Sequence, residues 1–297
     1  MYQFNHGYEL LELTKKFNLP ISQIVVLAEQ EKTGEDLDTI FQKMRNNLKV
    51  MKEAINKGLN EDLKSVSGLS GGDAKKLYER IIIGNTLSCE TMAKAAASAL
   101  AVTEVNASMG KIVAAPTAGS SGVIPGALIT VARKFGKSDD DMTRALFTAS
   151  GIGIIIAKNA TLSGAEGGCQ AEVGSASAMA AAALVELMEG TPEQCLTAAS
   201  FAIMNLLGLV CDPVAGLVEI PCEKRNALGA LNAMICADFA IAGMDSVIPF
   251  DEVVEALYKV GKAIPYALRE TAEGGLAKTP TGIRLKKEVF EKEKRGN

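Results

Sequence analysis

The sequence predicts an all-α protein that folds as a single large helical domain over residues 1–297. Apolar residues recur three or four positions apart over 37–55, which is the spacing of an amphipathic helix. No stretch shows the repeated apolar–polar alternation of strands bounded by hairpin turns. Charge almost disappears over 95–131 and 145–185, as is typical of helices buried on every side in a large core.

The helices can be justified in chain order. The first amphipathic helix is expected over 37–55, ending at about Gly58 as a C-cap. A second, charged helix is expected over 73–82 with Asp73 as its N-cap. The central helices that follow are apolar and rich in small residues, since the chain has 28 glycines and only 5% aromatic residues. A charged tail over 284–297 is expected on the surface.

Composition excludes several classes of protein. The net charge of −4 and a pI near 5.4 argue against a nucleic-acid-binding protein, which would show a basic patch. The apolar runs at 145–157 and 198–211 are shorter than the roughly 20 residues of a membrane span. Residues 1–6 lack the basic start and apolar run of a signal peptide. We therefore expect a cytoplasmic protein without membrane or nucleic-acid partners.

The six cysteines fall into two sets. Three lie within helical patterns, and we expect them to be small buried filler: Cys89, Cys195 and Cys236. The other three lie at chain breaks beside glycine or proline, and they are candidate metal ligands: Cys169, Cys211 and Cys222. Their wide spacing differs from the tight Cys-x-x-Cys patterns of ferredoxins and zinc ribbons. The residues alone leave a metal site and a purely structural role both open.

A Gly/Ser-rich loop precedes one of the apolar helices. It reads PTAGSSG at 116–122, and the helix is expected from about Ile124. Free backbone N–H groups at such a helix start can bind an anion. A simple helix–helix turn with hydroxyl capping explains the pattern equally well. The loop is not a phosphate-binding P-loop, because the Gly-Lys-Ser/Thr ending is missing.

Three stretches of this chain resemble the iron–sulfur-dependent L-serine dehydratases, specifically the separate α chain of the two-chain form. They are PTAGSSG at 116–122, GGCQAEVGSA at 167–176, and CDPVAG at 211–216 continuing through Pro-Cys at 221–222 to Arg-Asn at 225–226. The resemblance extends over nearly the whole chain, to ETAEGGLA at 270–277. It implies an all-α lyase that converts L-serine to pyruvate and ammonia, in a hetero-oligomer with a smaller β chain.

The resemblance also implies a 4Fe-4S cluster held by Cys169, Cys211 and Cys222. Three protein ligands leave one iron open, and that iron can act as a Lewis acid on the substrate hydroxyl. The candidate substrate-binding residues supply hydroxyl, amide or backbone donors near these loops: Thr117, Gly119, Ser120, Ser121, Asn159, Ser163 and Ser175. Single-chain relatives end in a tail with a terminal cysteine, which this chain lacks.

The general base is not identified by the sequence. Glu172 and Lys158 are weak internal candidates, because each is equally well explained as a buried charge paired for structure. The one histidine, His6, lies near the terminus and is expected to be solvated. Titratable groups near neutral pH are therefore scarce, and we hypothesise that a histidine comes from the β chain.

Three other functions are compatible with parts of the sequence. A pyridoxal-phosphate lyase would catalyse the same reaction, but no lysine has a suitable Ser-x-Lys setting. A related 2-thio amino-acid lyase, similar to a cysteine desulfidase, would differ only in the leaving group. A non-catalytic scaffold subunit would have no use for three loop cysteines. Iron content and substrate preference distinguish these alternatives.

Overall fold

The computed structural model describes residues 1–295, and within them the chain forms thirteen α-helices and no β-strand. The prediction of an all-α fold is confirmed. In chain order the helices are α1 (Gly7–Phe17), α2 (Ile21–Thr33), α3 (Leu37–Asn60), α4 (Asp73–Ile82), α5 (Glu90–Ala107), α6 (Val123–Lys134), α7 (Asp139–Asn159), α8 (Gly164–Gly167), α9 (Ser175–Leu187), α10 (Pro192–Met204), α11 (Cys222–Ile241), α12 (Phe250–Ala263) and α13 (Pro280–Arg295).

Helix α3 begins where the sequence predicts and ends later. Asp36 is its N-cap and accepts a hydrogen bond from the Thr39 N–H at 2.9 Å. The helix continues through Gly58, which is a contact position rather than a C-cap. A Cβ at Gly58 would lie 2.5 Å from the Cα of Ala101, so the absent side chain lets α3 and α5 pack backbone to backbone.

The start of α4 corrects the predicted cap. Asp73 is the first helical residue, and Gly72 is the N-cap, with a φ of +80°. The free N–H groups of the first turn donate instead to the buried carboxylate of Glu104 on α5, which lies 2.7 Å from the Asp73 N and 3.0 Å from the Ala74 N. A capping group from a distant helix replaces the local one.

The core is centred on α9. Nearly all of its side chains are buried, and it packs against α6, α7, α10 and α11. Its many alanines and serines allow these neighbours to approach closely on all sides. The low-charge, small-residue region of the sequence is therefore the centre of the domain.

The other expected segments are placed as follows. Helix α7 contains the apolar run at 145–157, whereas α10 ends at Met204, so the second half of the run at 198–211 is loop. None of the helices within residues 1–295 combines the length and the apolar character needed to cross a membrane. The charged segment at 284–295 belongs to α13, and Gly296 and Asn297 lie outside the described residues.

Candidate functional site

Three loops meet at one end of α9 and α11, and each carries one of the predicted ligand cysteines. Cys169 follows the short helix α8, Cys211 lies in the loop after α10, and Cys222 begins α11. All three side chains are buried, and none forms a disulfide. The sulfur atoms of Cys169 and Cys211 and a carboxylate oxygen of Glu172 lie within 4.8 Å of one another.

Cys222 borders this group without belonging to the 4.8 Å cluster. Burial raises the pKa of its thiol above the usual range, and the negative charges of Cys169 and Glu172 raise that pKa further. It therefore lies within electrostatic range of both residues. Three buried thiols arranged in this way are a soft donor set, which fits an iron–sulfur cluster better than a hard cation.

The other cysteines divide as expected with one exception. Cys195 and Cys236 are buried in helices as small apolar filler, which confirms the prediction for both. Cys89 is exposed and is the N-cap of α5, so the prediction of a buried helical residue was wrong there. The helix begins at Glu90, so Cys89 precedes it and lies in a loop that faces solvent.

The Cys169 loop is wound tightly and tied to the Cys211 loop. Gln170–Gly174 forms a turn of π-helix, a feature often found at functional sites. The Gln170 N–H donates to the Leu209 carbonyl at 2.9 Å, and its side-chain oxygen accepts from the Gly208 N–H at 2.8 Å. Gly168 has a φ of +76°, and a Cβ there would lie 2.9 Å from the Leu209 oxygen. The two cysteine loops are thus held together by backbone contacts.

Arg225 joins the cysteine loops from the first turn of α11. Its Nη1 donates to the Val210 carbonyl at 2.8 Å and lies 3.5 Å from the Cys169 sulfur. Its Nη2 forms an ion pair with Asp212 at 2.9 Å. A hydrogen bond from the Cys211 thiol, together with the charge of Arg225, lowers the pKa of the Cys169 thiol.

Glu172 places a partly buried carboxylate beside the thiols. Burial, together with the nearby charge of Glu270, raises the pKa of Glu172 to about 7. Thr117 Oγ1 donates to Glu172 Oε1 at 2.9 Å and opposes this shift. A Cβ at Gly164 would lie 2.7 Å from Glu172 Oε2 and 3.1 Å from Glu270 Oε2, so both carboxylates face this glycine.

The 116–122 loop reaches the same place. Thr117 and Ser120 hydroxyl oxygens are 3.0 Å apart, and a Cβ at Gly119 would lie 3.2 Å from Glu172 Oε1. Ser121 turns inward, and its hydroxyl donates to the Ala118 carbonyl. Asn226 fixes the loop: its Nδ2 donates to the Gly119 carbonyl at 2.7 Å, and its Oδ1 accepts from the Gly122 N–H at 2.9 Å.

The remaining predicted residues have other surroundings. Lys158 Nζ donates to the Phe4 carbonyl and to Asn5 Oδ1, and Asn159 Nδ2 donates to the Asn5 carbonyl. These hydrogen bonds anchor the N-terminal segment. None of the side-chain hydrogen bonds of Lys158 and Asn159 within the described residues reaches a thiol. Ser163 is the N-cap of α8. The buried hydroxyl of Ser175 has no hydrogen-bond partner among the described residues.

A C-terminal strap, residues 266–278, covers the Cys211 loop, and sequence reasoning did not assign it a role. The Cys211 N–H donates to the Leu268 carbonyl at 2.8 Å, and the Cys211 carbonyl accepts from the Glu270 N–H at 2.7 Å. The Leu276 N–H donates to Asp212 Oδ2 at 2.8 Å. Glu270 has a φ of +63°, which non-glycine residues rarely adopt, so its backbone is held in place by these contacts.

Comparison with known proteins gives a consistent result. A family profile described as "Serine dehydratase alpha chain" matches residues 16–277. The "Probable L-serine dehydratase, alpha chain" of Bacillus subtilis (strain 168) is 54% identical over 287 residues, covering 97% of this chain and 95% of the relative. The "L-serine dehydratase, alpha chain" of Peptoniphilus asaccharolyticus is 46% identical over 286 residues, covering 96% and 98%.

A longer relative matches over only part of its length. The "L-serine dehydratase TdcG" of Escherichia coli (strain K12) is 36% identical over 289 residues, which cover 93% of this chain and 62% of that relative. The residues matched by the family profile, 16–277, include the three cysteine loops and the 116–122 loop described above. The chain belongs to the serine dehydratase alpha chain family.

Proposed function

We propose that this chain is the catalytic α subunit of an L-serine dehydratase, a lyase that eliminates water from L-serine and yields pyruvate and ammonia. The single observation that supports this most strongly is the convergence of Cys169, Cys211 and Cys222 beside Glu172. Relatives at 46% and 54% identity carry that activity in their names. A cytoplasmic location is part of the proposal and agrees with a set of free cysteines.

Cys169, Cys211 and Cys222 would hold a 4Fe-4S cluster. Such a cluster, when bound, supplies a Lewis-acidic iron for the departing hydroxyl group. The donor set fits it, because the three thiols are buried, come from three separate segments, and the Arg225 cation lies 3.5 Å from the Cys169 sulfur.

The chain's own residues would bind and orient the substrate. The Thr117 hydroxyl donates to Glu172, and the Ser120 hydroxyl beside it can donate a hydrogen bond to a substrate carboxylate. Glu172, whose pKa is raised to about 7 by burial, can hold a proton at its Oε2 atom or release it near neutral pH. Among the internal candidates for a base, the geometry therefore favours Glu172 over Lys158.

A β chain is the second part of the proposal. His6 lies at the start of α1, where its ring stacks on Tyr8 at 5.5 Å between centroids. The contacts that His6 makes are with the first turn of α1 rather than with the cysteine loops, so we infer that a histidine comes from a partner chain bound over the site. The words "alpha chain" in the names of the Bacillus subtilis and Peptoniphilus asaccharolyticus relatives support a partner. Full turnover by the reconstituted α chain alone would contradict this part.

Pyruvate release from L-serine under anaerobic conditions tests the activity. The chain is co-purified with its partner, and Cys169→Ala, Cys211→Ala and Cys222→Ala are compared with Cys89→Ala, which removes an exposed thiol outside the site. We expect each of the three site variants to lose pyruvate release and Cys89→Ala to retain it. Wild-type rates in the three site variants would overturn the proposal.

A further inference from the structure

Arg225 occupies a central position among the three cysteine loops. It lies on α11 three residues after Cys222, which places both side chains on the same face of the helix. Its side chain is 15% exposed, so its charge is largely removed from solvent.

The guanidinium contacts both of the other cysteine loops. Val210 and Asp212, its carbonyl and carboxylate partners, flank Cys211 on either side. The Nη1 atom that binds Val210 also points to the Cys169 sulfur at 3.5 Å. One side chain therefore connects the Cys222 helix to the loops of Cys169 and Cys211.

Asp212 fixes Arg225 in this position. Its carboxylate is buried, with a side-chain exposure of 5%. One oxygen pairs with Arg225, and the other accepts from the Leu276 N–H in the C-terminal strap. A lysine has a single point of charge and could not reach the carbonyl, the carboxylate and the sulfur together, whereas the planar guanidinium presents several donors.

We infer that Arg225 is a positioning residue: it holds the three cysteine loops in register, and its N–H near the Cys169 sulfur raises the reduction potential of the group that the cysteines bind. The inference rests on the proposed function. A cationic N–H donor beside a ligand sulfur stabilises the reduced, more negative state of a cluster. Its removal therefore favours oxidation.

The test compares Arg225→Met, Arg225→Lys and Lys224→Met in the full complex, reconstituted anaerobically. Lys224 is a matched control, because it is the adjacent cation and pairs instead with Asp73 and Glu223. The readouts are iron and sulfide per chain, the reduction potential followed by visible absorbance, and the half-life of that absorbance in air. Circular dichroism checks that each variant is folded.

We expect Arg225→Met to have a lower reduction potential and a several-fold shorter half-life in air, Arg225→Lys to be intermediate, and Lys224→Met to match the wild type. A folded Arg225→Met that binds little iron supports the positioning role as well. If Arg225→Met does not fold, the reduction potential of Arg225→Lys decides: a value below that of the wild type supports the inference, and a wild-type value overturns it. A wild-type potential, half-life and iron content in the Arg225 variants would overturn the inference, whereas a wild-type complex without iron would overturn the proposed function instead.

Discussion

Thr117 Oγ1 donates a hydrogen bond to Glu172 Oε1 at 2.9 Å, across 55 positions of sequence. This bond joins the Gly/Ser-rich loop before α6 to the π-helical turn that follows Cys169. It is the contact that brings the candidate substrate loop and the candidate ligand loop into one site. The bond orients the Glu172 carboxylate. The absent side chains of Gly119 and Gly164 leave room for this carboxylate on two sides.

The first prediction concerns this bond. Thr117→Val keeps the shape of the side chain and removes the hydroxyl, so Glu172 loses its hydrogen-bond donor and its orientation. A hydrogen bond to a charged group contributes roughly 1.5–3 kcal/mol, which corresponds to a fall in kcat/KM of about 10- to 100-fold. Steady-state pyruvate release measures it. Thr117→Ser keeps the donor and should retain most of the activity, and equal losses in both variants would show that the hydroxyl is not what matters.

The second prediction concerns the strap. Gly275 has a φ of +56°, and a Cβ there would lie 2.2 Å from Asp212 Oδ2. Gly34 also has a positive φ, of +73°, but nothing lies within 4 Å of its added Cβ. Gly34→Ala should therefore cost about 1–2 kcal/mol of unfolding free energy from backbone strain alone. Gly275→Ala should cost about 1–3 kcal/mol more from the clash, and it should reduce activity.

Urea unfolding of the two glycine variants gives these free energies directly. The comparison separates the cost of backbone strain from the cost of a steric clash, because of these two glycines only Gly275 has an atom close to its added Cβ. Equal losses of unfolding free energy in the two variants, with activity unchanged in Gly275→Ala, would contradict the prediction. The strap would then move aside without disturbing the Cys211 loop.

The third prediction concerns pH and a carboxylate outside the site. Glu186 on α9 is partly buried, and this burial raises its pKa above the ordinary value of 4.5, although Thr148 and Ser22 donate hydrogen bonds to it. A raised folded-state pKa means that the folded protein binds the proton more tightly than the unfolded chain. The contribution of Glu186 to stability is therefore full below pH 4.5 and is lost as pH rises through the folded-state pKa.

Glu186→Gln stays neutral and still accepts both hydrogen bonds through its amide oxygen. We expect it to melt at a higher temperature than the wild type at pH 7.5, with the difference closing by pH 4. Thermal unfolding at both pH values measures this. Glu255→Gln, which replaces an exposed carboxylate paired with Lys259, is the control and should show no such trend. A difference in melting temperature between Glu186→Gln and the wild type that is the same at both pH values would contradict the prediction.

Much of the fold could be predicted because its causes are local. Three- and four-residue apolar spacing indicates helices, and the loss of charge indicates which helices lie inside. The start of α4 was off by one residue because its capping carboxylate comes from Glu104, a contact between two helices that no local pattern contains. Cys89 was misplaced because α5 begins only at Glu90, and the chain from Leu87 to Glu90 is exposed.

The site was predicted less completely, and the difference is again one of distance along the chain. Glycine and proline neighbours were enough to select Cys169, Cys211 and Cys222 as the loop cysteines. Arg225 and the strap gained their importance only through contacts with segments far away in sequence, such as that of Leu276 with Asp212. Lys158 is a weaker candidate for the opposite reason. It is close in sequence to a cysteine loop, but its side chain donates to the Phe4 carbonyl in the N-terminal segment instead.

We propose that Cys169, Cys211 and Cys222 hold an iron–sulfur cluster at the site of serine dehydration. The most direct test of this proposal is the iron and acid-labile sulfide content of the anaerobically purified, active complex, measured beside pyruvate release. We expect about four irons and four sulfides per α chain, and we expect iron, sulfide and activity to be lost together on exposure to air. An active complex that contains no iron would contradict the proposal.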